Sequence, residues 1–190
     1  MQVLRKGDPT KPLSAVKKVK VAGPDGEVFY VDDPSFGHAE SDTSNYVANA
    51  SDRIQRQLMA ESGGNPRAVS PAGARGAWQI MPETQKDLED RGLIARGLDP
   101  FDPIDSRIMR DAKIDALSNL SWIKEPPQKI PEINRLARIY ASYNWGEGNV
   151  LKALNKAKAD GVDIYGDPRN WVRYLPEETR GYLDKILFNQ

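Results

Sequence analysis

Residues 61–84 constrain this chain more than any other segment. They open with Glu61-Ser62-Gly63-Gly64-Asn65-Pro66 and close with Gln79-Ile80-Met81-Pro82-Glu83-Thr84. Upstream, Val47, Ala50, Ile54, Leu58 and Glu61 recur three or four residues apart, so they share one face of a helix starting near Tyr46. Gly63-Gly64 can end that helix with a residue at positive φ. Glu61 then falls in the last turn, on the apolar stripe, where the helix dipole disfavours an ionised carboxylate. Burial against apolar groups, with Trp78, Ile80 and Met81 following in the same segment, would raise its pKa further. Most glutamates are solvated surface groups, and spacing alone leaves Glu61 among them. Pro82 fits the first position of the next helix, with Glu83 in its favourable first turn.

The helical pattern continues. Residues 92–103 read as loop, punctuated by Gly92, Gly97, Pro100 and Pro103. Ile104, Ile108, Ala112, Ala116, Leu120 and Ile123 form a stripe on one long helix that Pro126-Pro127 closes. Ile133, Leu136, Ala137, Tyr140 and Ala141 mark another helix, and Val150, Leu151, Leu154 and Ala157 a third. After a turn over residues 161–168, Pro176 opens a last helix carrying Tyr182, Leu183, Ile186 and Leu187. Five or six helices with short connections make a compact, mainly α domain over residues 45–190.

Residues 1–44 differ. Val16-Lys17-Lys18-Val19-Lys20-Val21 and Val28-Phe29-Tyr30-Val31 are β-prone runs around the turn sequence Gly23-Pro24-Asp25-Gly26-Glu27. They predict a β-hairpin, marginal in water unless it packs on something. Asp32 to Ser44 reads as a polar linker. Arg5 and Lys6 are followed by no apolar run, so no secretory signal is expected, and no stretch is long enough to span a membrane.

Lys plus Arg and Asp plus Glu number 27 each, a formal charge of zero. This argues against nucleic-acid binding through a broad basic surface and leaves a neutral glycan open. With no cysteine and the single His38, a His/Cys zinc site and a triad with a second histidine are nearly excluded, and no cofactor is expected.

Three blocks fall in order along the chain. The first holds Glu61-Ser62, Asn65-Pro66-Arg67-Ala68-Val69-Ser70, Gly73-Ala74-Arg75-Gly76 and Gln79-Ile80-Met81-Pro82-Glu83-Thr84. The second is Tyr143-Asn144-Trp145-Gly146-Glu147-Gly148, and the third Leu175-Pro176-Glu177-Glu178-Thr179-Arg180-Gly181-Tyr182. Together they resemble the soluble lytic transglycosylases, the peptidoglycan-cleaving branch of the lysozyme-like fold, over residues 46–187. Three ordered blocks are far more specific than one short motif. The resemblance implies a lysozyme-like, goose-type helical domain with the hairpin as an N-terminal extension.

It also implies that Glu61 is the catalytic acid and base. Glu61 would protonate the bond between N-acetylmuramic acid and N-acetylglucosamine, then take the proton of the muramic acid 6-hydroxyl as that oxygen closes onto C1. The product is a 1,6-anhydro sugar, and one carboxylate suffices because the substrate supplies the nucleophile, unlike the usual carboxylate pair. Ser70, Gln79, Met81, Tyr143, Asn144 and Glu178 match substrate-cleft positions, and the family's hydroxyl at the Tyr143 position faces the catalytic glutamate. All but Gln79 have a plainer alternative: a turn serine, a core methionine, a core tyrosine with a wet tip, a turn asparagine, a helix-start glutamate.

Two departures stand out. Ala77-Trp78 replaces the family's Leu-Met, and Trp145 and Glu147 replace Ala and Pro. The added aromatics are expected to stack on pyranose faces and alter subsites. The alternatives are a muramidase that hydrolyses the same bond, for which Glu83, Asp87 and Glu147 are the nearby second carboxylates, and a structural virion module that has lost activity. The layout also resembles virion-associated wall-degrading enzymes of bacteriophages, acting in the host wall or periplasm, with residues 1–44 docking on a virion or secretion-machine protein.

Overall fold

The computed structural model describes residues 18–22, 28–32 and 43–188, with side chains from Ser51 onward. The chain divides into two compact units, Met1–Asp52 and Arg53–Gln190. In the first, β1 (Lys18–Ala22) and β2 (Val28–Asp32) pair antiparallel, with Lys18 opposite Asp32 and Ala22 opposite Val28. Val16, Lys17, the turn between the strands and residues 33–42 of the expected linker lie outside the described residues. Thr43 and Ser44 belong to the first helix and not to a linker.

Helix α1 spans Thr43–Ser62 and ends at Gly63 and Gly64, whose φ angles of 66° and 83° glycine adopts without steric cost. Helix α2 (Pro82–Asp90) has Pro82 in its first turn. Helix α3 (Pro103–Ser118) is capped by Asp102, whose side chain accepts from the Ile104 and Asp105 N–H groups at 2.9 and 3.0 Å. There follow α4 (Ser121–Lys124), α5 (Glu132–Trp145), α6 (Glu147–Ala159), α7 (Arg169–Val172) and α8 (Glu177–Leu183), which runs into a π-helical turn at Asp184–Phe188. The count exceeds the expected five or six because α4 and α7 are single turns, too short to show a period.

The long helix expected through Ile123 breaks in two. Ser118 Oγ and Asn119 Nδ2 donate to the Ile114 and Asp115 carbonyls, and Leu120 is extended before α4 begins. Such side chains compete with the helical ladder. The expected apolar stripe is also not the buried face at the start of α3: Ile104 and Ile108 are 69% and 44% exposed. The inward face carries Ser106, Met109, Arg110 and Leu117 instead. Polar groups there serve the site described below, which inverts the usual pattern.

Helix α5 forms the axis of the second unit and is buried without a break from Ala137 to Tyr143. Ala137, Tyr140 and Ala141 join a cluster with Leu154, Trp171, Leu183 and Ile186. Ile139 and Tyr143 face a second cluster with Trp78, Ile80, Met109 and Ile123. A helix buried on every side, Arg138 and Ser142 included, is one enclosed by its neighbours. Each fully buried Leu or Ile contributes about 1.5–3 kcal/mol.

The loop from α1 to α2 is knotted down by backbone pairing. Arg75 and Ile80 exchange two N–H···O bonds at 2.9 Å, and the Gly76 N–H donates to Ala68 O at 2.9 Å. Gly76 (φ 73°) sits against Pro100, where a Cβ would meet the Pro100 carbonyl oxygen at 1.7 Å. This loop closes over the end of α1 and carries Trp78 into the core.

Candidate active site

Glu61 sits in the final turn of α1, half-buried. Tyr182, from α8, donates its hydroxyl to Glu61 Oε1 at 2.5 Å. Burial pushes the Glu61 carboxyl up to about 7, against the opposing pull of the Tyr182 hydrogen bond, the Lys113 ammonium, Gln57 and Arg110. Both protonation states are then populated near neutrality, as a group that gives and then takes a proton requires. Burial holds the Tyr182 and Tyr143 phenols well above the ordinary tyrosine value, so both stay protonated donors.

Two cations on the inward face of α3 complete the surroundings. Lys113 Nζ donates to Tyr143 O at 2.9 Å and lies 3.9 Å from the centroid of the Tyr143 ring. Burial pulls its ammonium down to about 8, while Glu61 and then Glu147 hold it up. Arg110, one turn earlier, donates from Nε (2.8 Å) and Nη2 (2.5 Å) to Gln57 Oε1 and from Nη1 to Asp111 Oδ1 (2.8 Å). Gln57, one turn before Glu61 on α1, is fully buried.

The residues expected from the motifs are placed as follows. Tyr143 is buried and donates its hydroxyl to Trp78 O at 2.9 Å; the hydroxyl on Glu61 belongs to Tyr182. Ser70 Oγ accepts from the Ala74 N–H at 3.0 Å, a turn contact. Gln79 takes a positive φ of 49° and donates from Nε2 to Gly76 O at 2.8 Å, so it too is tied into the loop. Met81 is half-buried and extended just before α2. Asn144 Oδ1 accepts from Thr179 Oγ1 at 2.8 Å, bonding the second and third motif blocks to each other. Glu178 is exposed in the first turn of α8.

Trp78 is 4% exposed, with the Arg110 and Arg107 guanidinium groups 5.4 and 5.5 Å from its ring centroid. It therefore offers no face to a sugar. The expectation of a stacking surface fails here because the loop turns the ring into the core, where cation–π contacts occupy it. Trp145 packs partly against the α5–α6–α8 cluster.

The motifs pass over Gln57, Arg110 and Lys113, and mark Tyr182 only as the end of a block and a member of the last helix's stripe. The signal for Gln57 is in the sequence: with Ile54, Leu58 and Glu61 it shares the apolar face of α1, and a polar residue there needs a partner. Among the described residues no group of His, Cys, Asp or Glu side chains could hold a metal ion, and no helix is long and apolar enough to cross a membrane.

A family model described as Transglycosylase SLT domain matches residues 56–165. Membrane-bound lytic murein transglycosylase D of Escherichia coli (strain K12) is 33% identical over 131 residues, 68% of this chain and 25% of that protein. Membrane-bound lytic murein transglycosylase F of Yersinia pestis (strain Pestoides F) is 31% identical over 134 residues, 64% of this chain and 24% of that protein. The chain thus spans about a quarter of the length of these curated relatives. The crystal structure of the 70 kDa soluble lytic transglycosylase of Escherichia coli superposes with a TM-score of 0.54 at 24% identity, over 71% of this chain and 20% of that one. The helical domain shares that lysozyme-like fold.

Proposed function

Because the chain belongs to the transglycosylase SLT-domain family, we propose that it is a peptidoglycan lytic transglycosylase with Glu61 as its acid and base. The observation that carries this reading is the Glu61 carboxyl, poised near neutrality by burial and held by Tyr182. Glu61 gives its proton to the glycosidic oxygen between N-acetylmuramic acid and N-acetylglucosamine as the bond to C1 breaks. The resulting carboxylate takes the proton of the muramic acid 6-hydroxyl, whose oxygen bonds C1. The substrate's own ring holds that nucleophile close, and no water is consumed. Ser70, Gln79, Met81, Asn144 and Glu178 are proposed to line the glycan site, the first two by shaping the loop beside it.

The hydrolytic alternative needs a carboxylate to activate water. Glu83 and Asp87 are exposed on α2, where Asp87 pairs with Arg91 at 2.9 Å. Glu147 is exposed at the start of α6 and shares Lys113 with Glu61. It is the carboxylate a muramidase would have to use. Digestion of purified sacculi in heavy-oxygen water separates the two. The transglycosylase gives unlabelled 1,6-anhydromuramic acid; label at the new muramic acid C1 in the main product would establish hydrolysis.

We further propose that the activity serves local opening of the wall during phage entry, with residues 1–44 docking the enzyme on a virion or secretion-machine protein. The paired strands β1 and β2 ahead of the catalytic unit support this reading.

A further inference from the structure

Gln57 makes an unusual use of its two ends. Its Oε1 accepts two hydrogen bonds from the Arg110 guanidinium, which fixes how the amide is turned. The opposite end, Nε2, is buried and has no hydrogen-bond partner of ordinary geometry. A buried amide donor left unpaired calls for an explanation. The position of Gln57 supplies one. It lies one helical turn before Glu61 on the same face of α1, and hydrogen bonding from its side chain favours the ionised forms of both Glu61 and Tyr182. The N–H₂ end therefore faces the carboxyl–phenol pair without a close partner in either.

We propose that Gln57, clamped by Arg110, is a positioning residue: a donor held in reserve and taken up by Glu61 once that side chain has given away its proton. In the acid form Glu61 needs one partner, Tyr182, and the Gln57 amide waits. In the carboxylate form a second acceptor site opens, and a donor already turned toward it needs no reorganisation. Arg110 is what keeps the amide from turning its oxygen toward the carboxylate, which would repel it. The Arg110 guanidinium is held in its turn by Asp111 and by the face of Trp78. This gives the Trp78 departure from the family pattern a purpose: the ring braces the clamp.

Every charged or titratable group around Glu61 enters the test. Tyr182 comes from α8, Tyr143 from α5, and Lys113 and Arg110 from α3; Asp111 acts on Arg110, and Glu147 on Lys113. Removing the reserve donor while keeping these should make the carboxylate harder to form. In protein labelled with ¹³C at glutamate carboxyl carbons, Gln57→Met is expected to move the Glu61 titration upward by roughly one pH unit, the low end for loss of a hydrogen bond to a charged group. Arg110→Lys keeps the charge and loses the two-donor clamp, and should move it the same way; it also decides the matter should the methionine variant not fold. In turnover, the alkaline limb should follow the titration, with the loss in kcat and not in KM.

An unmoved or downward-shifted titration in folded variants would overturn the proposal and leave Gln57 a structural residue. The inference rests on Glu61 being the acid, but the titration needs no turnover. A Glu61 titration that moves in a protein without glycan cleavage would sink the proposed reaction and keep the positioning role.

Discussion

The Tyr182 hydroxyl donates to Glu61 Oε1 at 2.5 Å, joining the last helix to the first across 121 residues. That length is the short range typical of a hydroxyl on a carboxylate. Tyr182→Phe removes the donor with little change of shape. Hydrogen bonds to charged groups are worth about 1.5–3 kcal/mol, so the Glu61 pKa should climb above its present value by roughly one to two units. The alkaline limb of the pH–kcat profile reads the shift. A limb that stays in place would remove Tyr182 from the setting of the acid.

Glu61→Gln should keep the fold and slow glycan cleavage at least about a hundredfold, because an amide cannot act as the acid. Its stability should also change with pH in a defined way. The folded protein keeps the Glu61 proton to about 7, whereas an unfolded glutamate releases it near 4.5. Between those values the folded state binds more protons, so wild-type stability falls as pH rises through the window. The difference of about 2.5 units corresponds to on the order of 3 kcal/mol. Urea unfolding of both proteins should show Glu61→Gln gaining on the wild type from pH 4.5 to about 7 and holding that advantage above.

Lys113→Met acts on a neighbouring titration with the opposite slope. Burial has lowered the ammonium from 10.5 to about 8, so from about 8 to 10.5 the unfolded chain binds more protons and wild-type stability rises with pH. Methionine should flatten that alkaline rise. Losing the cation should also raise the Glu61 pKa, moving the activity limb upward. Differential scanning calorimetry across pH 7–10 checks the first effect, and the activity profile the second.

Gly76→Ala tests the loop. A Cβ at this position would lie 1.7 Å from the Pro100 carbonyl oxygen, on a backbone with φ 73°. Backbone cannot retreat as a flexible side chain can, so a loss of at least about 2 kcal/mol is expected. Gly181→Ala, inside α8 with nothing within 4 Å of its Cβ, should stabilise by about 0.5–1 kcal/mol. Denaturant midpoints of the two variants should move in opposite directions.

Deleting residues 1–44 should leave a folded chain that still cleaves sacculi, because the unit from Arg53 is compact by itself. Docking to a particle should weaken. Circular dichroism and turnover of the truncated protein decide the point; an unfolded product would place residues 1–44 inside the catalytic fold.

Much of this fold can be read in the sequence because α5 and α6 bury apolar stripes with a helical period, and Ile54 and Leu58 of α1 pack against a buried cluster. The same signal misleads on α3. There, the regular series from Ile104 is partly exposed, and the inward face carries Arg110 beside Met109. Cations are buried on that face because Gln57 and Glu61 meet them beside the adjacent Asp111; Gln57 lies 53 residues from Arg110 in sequence and is invisible to periodicity. Tyr182 shows the converse. The family model stops at residue 165, yet the third motif block ends on the tyrosine that bonds Glu61. The aromatic at position 78 is plain in the sequence, but which way the loop turns it depends on Gly76 packing under Pro100.

Drawing Glu61 from α1 and the phenol that bonds it from α8 has a consequence for synthesis. On the ribosome, Tyr182 follows Glu61 by 121 residues. In between, Glu61 is an ordinary glutamate that gives up its proton near 4.5, because the helices that bury it have not yet emerged. A half-made chain therefore carries the glutamate without the acid. The Glu61–Tyr182 pair that the proposed reaction needs exists only once translation has passed α8.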